Sequence, residues 1–255
     1  MRSRSIPEVV LGIVPIAIIL ALWQGLTSFG MAPPALLPPP AAVFTRLAQQ
    51  LVDPTFLHHA GITLLRLFAG FSIAVVIGVS VGLAASGSRT VEALVRPLVQ
   101  VLAPVPKIAL YPAFILILGF EHASKVALVA ADALSPILLA TYQGTQAVER
   151  KLVWSALAAG TSPRKALFTI VLPAALPSVL TGCRIGLVIS CIVVFLAEMI
   201  SSTNGLGHLL IYASRSFHTV DMFVPLIAIS MLGLALNIGF NALRARLLAG
   251  FPEAD

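Results

Sequence analysis

The sequence predicts an all-α polytopic membrane protein, one domain spanning residues 1–255 with six transmembrane helices, and three observations carry that reading. Hydrophobic residues make up 58% of the 255 and charged residues only 10%, with a mean hydropathy of +1.00, more apolar surface than one soluble core can bury. Six apolar stretches, 9–29, 63–86, 98–120, 124–146, 179–201 and 222–243, reach the ~20 residues that a spanning helix needs. The basic residues also sort by side. With the N-terminus in the cytoplasm, Arg2, Arg4, Arg89, Arg96, Arg150, Lys151, Arg164, Lys165, Arg244 and Arg246 fall inside, against Arg46, Lys125 and Arg215 outside, as the positive-inside rule requires. The net charge of +6 therefore reads as membrane orientation and not as a nucleic-acid surface.

The first stretch follows Arg2 and Arg4, which raises a cleavable signal peptide as a rival. Its apolar run exceeds the ~7–15 residues of a signal h-region, and no small-x-small cleavage site follows, so it is read as a span. Pro33, Pro34 and Leu37-Pro-Pro-Pro40 then form a stiff extended entry to a polar, amphipathic segment ending at His58 and His59. Neighbouring helical residues point ~100° apart and only Asp53 lies near, so these histidines are expected to be solvated or interfacial at the outer mouth. No metal site is expected.

In the second stretch Ala74, Gly78 and Gly82 recur at steps of four, a small-residue stripe that admits a close neighbour. Pro97, Pro104, Pro106 and Pro112 interrupt the third, with Lys107 near its middle. Missing donors and stranded carbonyls are tolerated in a bilayer only against protein or water, so a kinked, cavity-lining helix is expected. Lys107, Asp132 and Glu198 form the intramembrane ionisable set. Each costs at least ~2.5 kcal/mol at mid-bilayer, which marks them as candidates for a translocation pathway or as a Lys–carboxylate pair that holds helices together.

Arg184 shares a face with Glu198 at a rise of ~21 Å and is expected to snorkel to the cytoplasmic interface. Cys183 and Cys191 differ in rise by ~12 Å, beyond disulfide reach, and read as small core residues. Ser201-Ser-Thr-Asn-Gly205-Leu-Gly207 is a polar turn outside the membrane, followed by an amphipathic run to Phe217; it reads as a surface for an external partner or as an ordinary re-entry loop. Asn237 and Asn241 give the last span a polar stripe for a neighbouring helix.

Between the fourth and fifth spans lies Gly160-Thr-Ser-Pro-Arg-Lys-Ala-Leu-Phe-Thr-Ile170-Val-Leu172-Pro173, within a polar loop at about 147–177. The spacing predicts two short helices joined at Gly160 and stopped by Pro173, with Ser162 capping the second and Pro163 in its first turn. Val148, Leu152, Ala156 and Ala159 share one face, and Ala166, Leu167, Ile170 and Val171 another. Both faces need a partner.

Gly160 followed after nine residues by Ile170-Val-Leu172-Pro173 resembles the ATPase-coupling loop of permeases of binding-protein-dependent ABC importers, whose pattern is E-A-A-x-x-x-G-x(9)-I-x-L-P. Of the E-A-A positions only Ala156 matches; Trp154 stands where the family has Glu. Leu37-Pro-Pro-Pro40, His59, Arg66, Pro104-Val-Pro106-Lys-Ile-Ala109-Leu-Tyr-Pro112, Lys125, Pro136, Leu172-Pro-Ala-Ala-Leu-Pro177, Glu198-Met and Gly205-Leu-Gly207 resemble, in that order, the aliphatic sulfonate, taurine and nitrate group. The resemblance implies a type I importer permease fold in the bacterial inner membrane, both termini cytoplasmic. Its implied partners are a second permease copy as a homodimer, two ATPase subunits, an extracytoplasmic binding protein and membrane lipid. Its implied coupling residues are Ala156, Gly160, Ser162, Ile170, Leu172 and Pro173. The solute is expected to be a small anion such as a sulfonate, taurine or nitrate, although related permeases serve bicarbonate, cyanate and thiamine precursors.

The chain carries no cofactor signature of its own. The nearest string to a phosphate-binding loop, Gly160-Thr-Ser-Pro-Arg-Lys165, lacks the second Gly and runs on to Ala166, so ATP and magnesium are expected on a partner subunit. An ion-coupled secondary transporter is the alternative that Lys107, Asp132 and Glu198 permit, but such carriers show paired broken helices, and here one segment is Pro-broken. An enzyme is disfavoured because no nucleophile-and-base pair or metal-ligand spacing appears.

Overall fold

The computed structural model describes residues 6–102, 105–249 and 251. Arg2, Arg4 and Pro104 lie outside the described residues. Among those described, the chain is helical with no strand. Helix α1 (Ile6–Ser28) contains the apolar run Val14–Ser28, and Trp23 Nε1 at its end donates to the Pro38 carbonyl at 3.0 Å, tying the helix to the proline-rich entry. Pro40, lacking a donor, begins α2 (Pro40–Gln50). The Asp53 carboxylate accepts from the Thr55 amide at 2.9 Å and Pro54 follows it, together starting α3 (Pro54–Gly87). This cap corrects one expectation: His58 and His59 do not end the amphipathic segment but stand in the first turns of the long helix.

The third expected span does not cross as one helix. It divides into α4 (Arg89–Leu102), a 3₁₀ turn (Lys107–Leu110) and α5 (Tyr111–Leu118), because Pro106 and Pro112 remove ladder donors within a few residues. Then come α6 (His122–Gln146), α7 (Arg150–Ala158), α8 (Pro163–Ala166), a π turn (Leu167–Val171), α9 (Leu172–Ile200), α10 (Leu206–Arg215) and α11 (Thr219–Leu247). Among the described residues, four passages are long and apolar enough to cross a membrane: Pro54–Gly87, His122–Gln146, Pro163–Ile200 and Thr219–Leu247. Helix α1 is 23 residues long, with Val14–Ser28 as its described apolar part, and Lys107–Leu118 is a shorter apolar helix at the proline-broken third stretch.

Pro173 does not stop the loop's second helix. Leu172 N–H bonds to the Leu167 carbonyl, one residue further back than in an α-helix, and this wider turn accommodates the proline ring while the helix continues. Pro97, Pro136, Pro177 and Pro225 likewise lie inside continuous helices.

The centre of the bundle is α6, wedged between α3 and α9. Ile137 is fully buried, and a Cβ at Gly78 of α3 would come within 2.9 Å of its Cγ2, while one at Gly186 of α9 would come within 2.8 Å of its Cδ1. The stripe expected on α3 thus receives α6, and α9 offers a matching surface at Gly182 and Gly186 that sequence reading missed. In a bilayer, where lipid tails are as apolar as Leu, such close packing is what associates helices. Ala74, Ala133, Val179 and Cys183 complete this layer around Ile137. The two cysteines are free and buried.

Candidate functional site

The bundle presents polar chemistry at both ends and between them. At one end, α7 closes with a Schellman cap: Gly160 N–H bonds to the Leu157 carbonyl and Thr161 N–H to the Ala156 carbonyl, both at 3.0 Å. That geometry needs a left-handed residue at Gly160, whose φ is +84°. Ala156 is therefore the acceptor that completes the turn. Ser162 Oγ accepts from the Lys165 amide at 3.4 Å, and Pro163 occupies the first turn of α8, as expected. The hairpin then enters the π turn with Ile170, and α9 with Leu172 and Pro173, without a break.

No residue of α7 is buried, and the hairpin exposes large apolar side chains, Trp154 at 64% and Phe168 at 61%, with Leu152 and Leu157 also exposed. The second face divides: Ala166 and Val171 are buried against the bundle, while Leu167 and Ile170 are half-buried. A cavity of about 370 Å³ separates the hairpin from the ends of α3, α4 and α6, lined in part by Glu92, Arg150, Trp154 and Leu167.

Lys107 and Asp132 face each other across the 3₁₀ turn and α6, Nζ to Oδ1 3.8 Å, with side chains 11% and 18% exposed. Glu198 does not join them. It lies near the opposite end of the bundle from the hairpin, paired with Arg66 of α3 at 2.8 Å, both side chains 1% exposed or less. Thr63 Oγ1 lies 2.9 Å from the Glu198 carboxylate, and the Gly207 amide donates to it at 3.1 Å. Arg66 also donates to the Asn204 carbonyl at 3.0 Å, to Asn204 Oδ1, to Ser202 Oγ at 3.3 Å and to His122 Nδ1 at 3.2 Å. The turn from Ser201 to Gly207 is consequently pinned on its inner side, with Gly205, Leu206 and Gly207 buried and Thr203 exposed.

Three further side chains depart from their expected settings. His59 Nδ1 accepts from the Gly205 amide at 2.9 Å and its ring stacks near His208, so it is engaged in the turn instead of solvated. Lys125 is fully buried, its ammonium donating to the Phe120 and Glu121 carbonyls, and is no free outer charge. Arg184 has a partner that sequence reading did not name: its Nε donates to Asn237 Oδ1 at 3.0 Å, joining α9 to the polar stripe of α11. Sequence reading omitted Arg66 from the ionisable set. The signal was available, since an Arg within an apolar helix carries the same burial cost as Glu198 and demands a partner.

The family model for the inner membrane component of binding-protein-dependent transport systems matches residues 74–250. Over 253 residues the chain is 30% identical to the taurine transport system permease protein TauC of Escherichia coli, covering 97% of this chain and 92% of that protein. It is 29% identical to the putative aliphatic sulfonates transport permease protein SsuC of Bacillus subtilis, over 91% of this chain and 84% of that one. An inward-facing structure of the MetNI methionine ABC transporter superposes with a TM-score of 0.66 at 18% identity, covering 76% of this chain and 96% of that chain. That likeness is one of fold.

Proposed function

The chain belongs to the family of inner membrane components of binding-protein-dependent transport systems, and from that premise we propose that it passes a small anion, a sulfonate of the taurine type foremost, into the cell. It is the membrane-embedded permease subunit of an ABC importer, and a separate subunit hydrolyses ATP. ATPase and binding-protein partners follow from the family. A homodimeric permease with two ATPase subunits, both termini in the cytoplasm and segment 147–177 facing it, completes the proposal.

One observation supports the coupling role most directly: a rigidly capped hairpin that leaves Leu152, Trp154 and Phe168 exposed and continues into α9. A partner docked there acts on a spanning helix with no flexible linker between. In this reading Ala156, Gly160 and Ser162 shape the docking hairpin, Ile170, Leu172 and Pro173 join it to α9, and Lys107 with Asp132 borders the path. A positive group along the path favours anion entry without demanding a tight site. Trp154, in place of the family Glu, offers apolar contact to the ATPase instead of a carboxylate.

The test is ATP-dependent uptake in proteoliposomes holding the permease, its ATPase and its binding protein, with labelled taurine, longer alkanesulfonates and nitrate compared. Uptake of sulfonates above nitrate is the expected result. Uptake of neither, with another solute transported, would overturn the substrate assignment and leave the importer role standing.

A further inference from the structure

We propose that Arg66 and Glu198 are positioning residues that make the Ser201–Gly207 turn, α3 and α9 move as one body, so that force arriving at the turn reaches the coupling hairpin. The proposal rests on the importer reading above, with this end of the bundle meeting the binding protein.

One carboxylate organises the region. Glu198, on α9, receives Arg66 from α3 at 2.8 Å and the Gly207 amide from the turn at 3.1 Å, with Thr63 Oγ1 of α3 at 2.9 Å. Thr63 in turn accepts the Leu206 amide at 2.9 Å, and Arg66 reaches His122 of α6 and both oxygens of Asn204. The fit is tight as well as bonded. A Cβ at Gly205, where φ is +104°, would fall 2.2 Å from the Glu198 carboxyl carbon, and a Cβ at Gly207 would fall 2.4 Å from the Phe195 carbonyl. The turn therefore has no slack against α9.

A buried ion pair contributes little net stability over apolar packing of similar volume, so what this pair supplies is a fixed geometry. Its outer flank is open: a cavity of about 420 Å³ borders Glu198, Ser201–Thr203, His208, Tyr212 and Arg215. Beyond the pair, the helical passage Pro163–Ile200 runs unbroken for 38 residues, ~57 Å, to the hairpin. A displacement of the turn is thus delivered to the helix that ends at the ATPase docking hairpin. The Arg184–Asn237 bond fastens α11 to the same helix further along.

The experiment measures ATP hydrolysis by the complete transporter in nanodiscs, titrated with loaded binding protein, for Glu198→Gln and Asn204→Ala. Glu198→Gln removes the charge and keeps the shape; Asn204→Ala removes the side-chain amide, and with it the Oδ1 acceptor for Arg66, and leaves the Arg66–Glu198 pair intact. For Glu198→Gln the expected result is about a tenfold lower maximal stimulation, with basal hydrolysis and the half-saturating binding-protein concentration within about twofold of wild type. For Asn204→Ala the same split is expected at about threefold. Basal and stimulated rates falling in proportion would show a mere structural staple and overturn the proposal, as would failure of both variants to assemble. A shifted half-saturation with unchanged maximum would make the residues part of docking and overturn it too. If wild type itself is not stimulated by a loaded binding protein, the importer reading fails first and takes this inference with it.

Discussion

Lys107 Nζ stands 3.8 Å from Asp132 Oδ1, a loose and partly exposed pair, whereas Glu198, read from sequence as their companion, is sealed against Arg66. The three ionisable residues therefore separate into a loose pair left partly exposed on the protomer and a carboxylate that is sealed inside it. Removing the Lys107 charge should slow anion passage without dismantling the bundle. Lys107→Met is expected to lower initial uptake about tenfold, equivalent to about 1.4 kcal/mol, at unchanged permease abundance. Normal uptake, or a permease that no longer assembles, would end the pathway assignment.

At Gly160 the surrounding space is empty, since a Cβ there meets nothing within 4 Å in this chain, and only the positive φ resists a side chain. Gly160→Asn, which tolerates the left-handed region, is expected to fold and insert normally, with a conformational cost below about 1 kcal/mol. Gly160→Asp should insert equally well yet lose ATP-driven uptake, because any collision must come from the docked ATPase. Stimulated hydrolysis and transport both at the wild-type level in Gly160→Asp would count against docking at this hairpin.

Glycines at the helix contacts behave oppositely. Gly78→Val forces atoms into Ile137 and is expected to destabilise by about 1–3 kcal/mol, whereas exposed Gly61, with nothing near it, should gain up to about 1 kcal/mol on replacement by Ala. Thermal denaturation of the detergent-solubilised protein reads both signs, and a neutral Gly78→Val would contradict the close α3–α6 approach.

The Ser162 cap is long at 3.4 Å, so its loss should be mild. Ser162→Ala is expected to cost about 0.5–1 kcal/mol, confined to the start of α8. Hydrogen exchange should quicken at Arg164 and Lys165 while the α9 amides beyond Pro173 remain protected.

Topology is open to direct labelling. Cysteines placed at Ser88 and Thr203 lie at opposite ends of the bundle, and native Cys183 and Cys191 are buried and should contribute little background. An impermeant thiol reagent added outside is expected to modify Thr203→Cys and spare Ser88→Cys; modification of both would refute the orientation.

The features legible in the sequence are those that local chemistry dictates. Hydropathy marked the apolar segments because a bilayer demands ~20 apolar residues in a row. Gly160 announced a helix junction and Ser162 a cap, since each acts through atoms only a few residues away. The stripe of Ala74, Gly78 and Gly82 announced close packing. It did not announce its partner, because which helix fills such a groove depends on the whole bundle. Ile137 fills it at Gly78 and Thr141 at Gly82, and no periodicity in α3 names either.

The proline rule misled at Pro173 for a related reason: a proline forbids one backbone bond, and whether the helix ends or widens depends on what packs beyond it. Tertiary structure alone decided the ionisable residues. Arg66 and Glu198 are separated by 132 positions in the chain, and their pairing follows from α3 and α9 both packing on α6. Burial cost guarantees that a charge in the membrane finds a partner, but only the arrangement of helices selects Arg66 for Glu198 and Asp132 for Lys107.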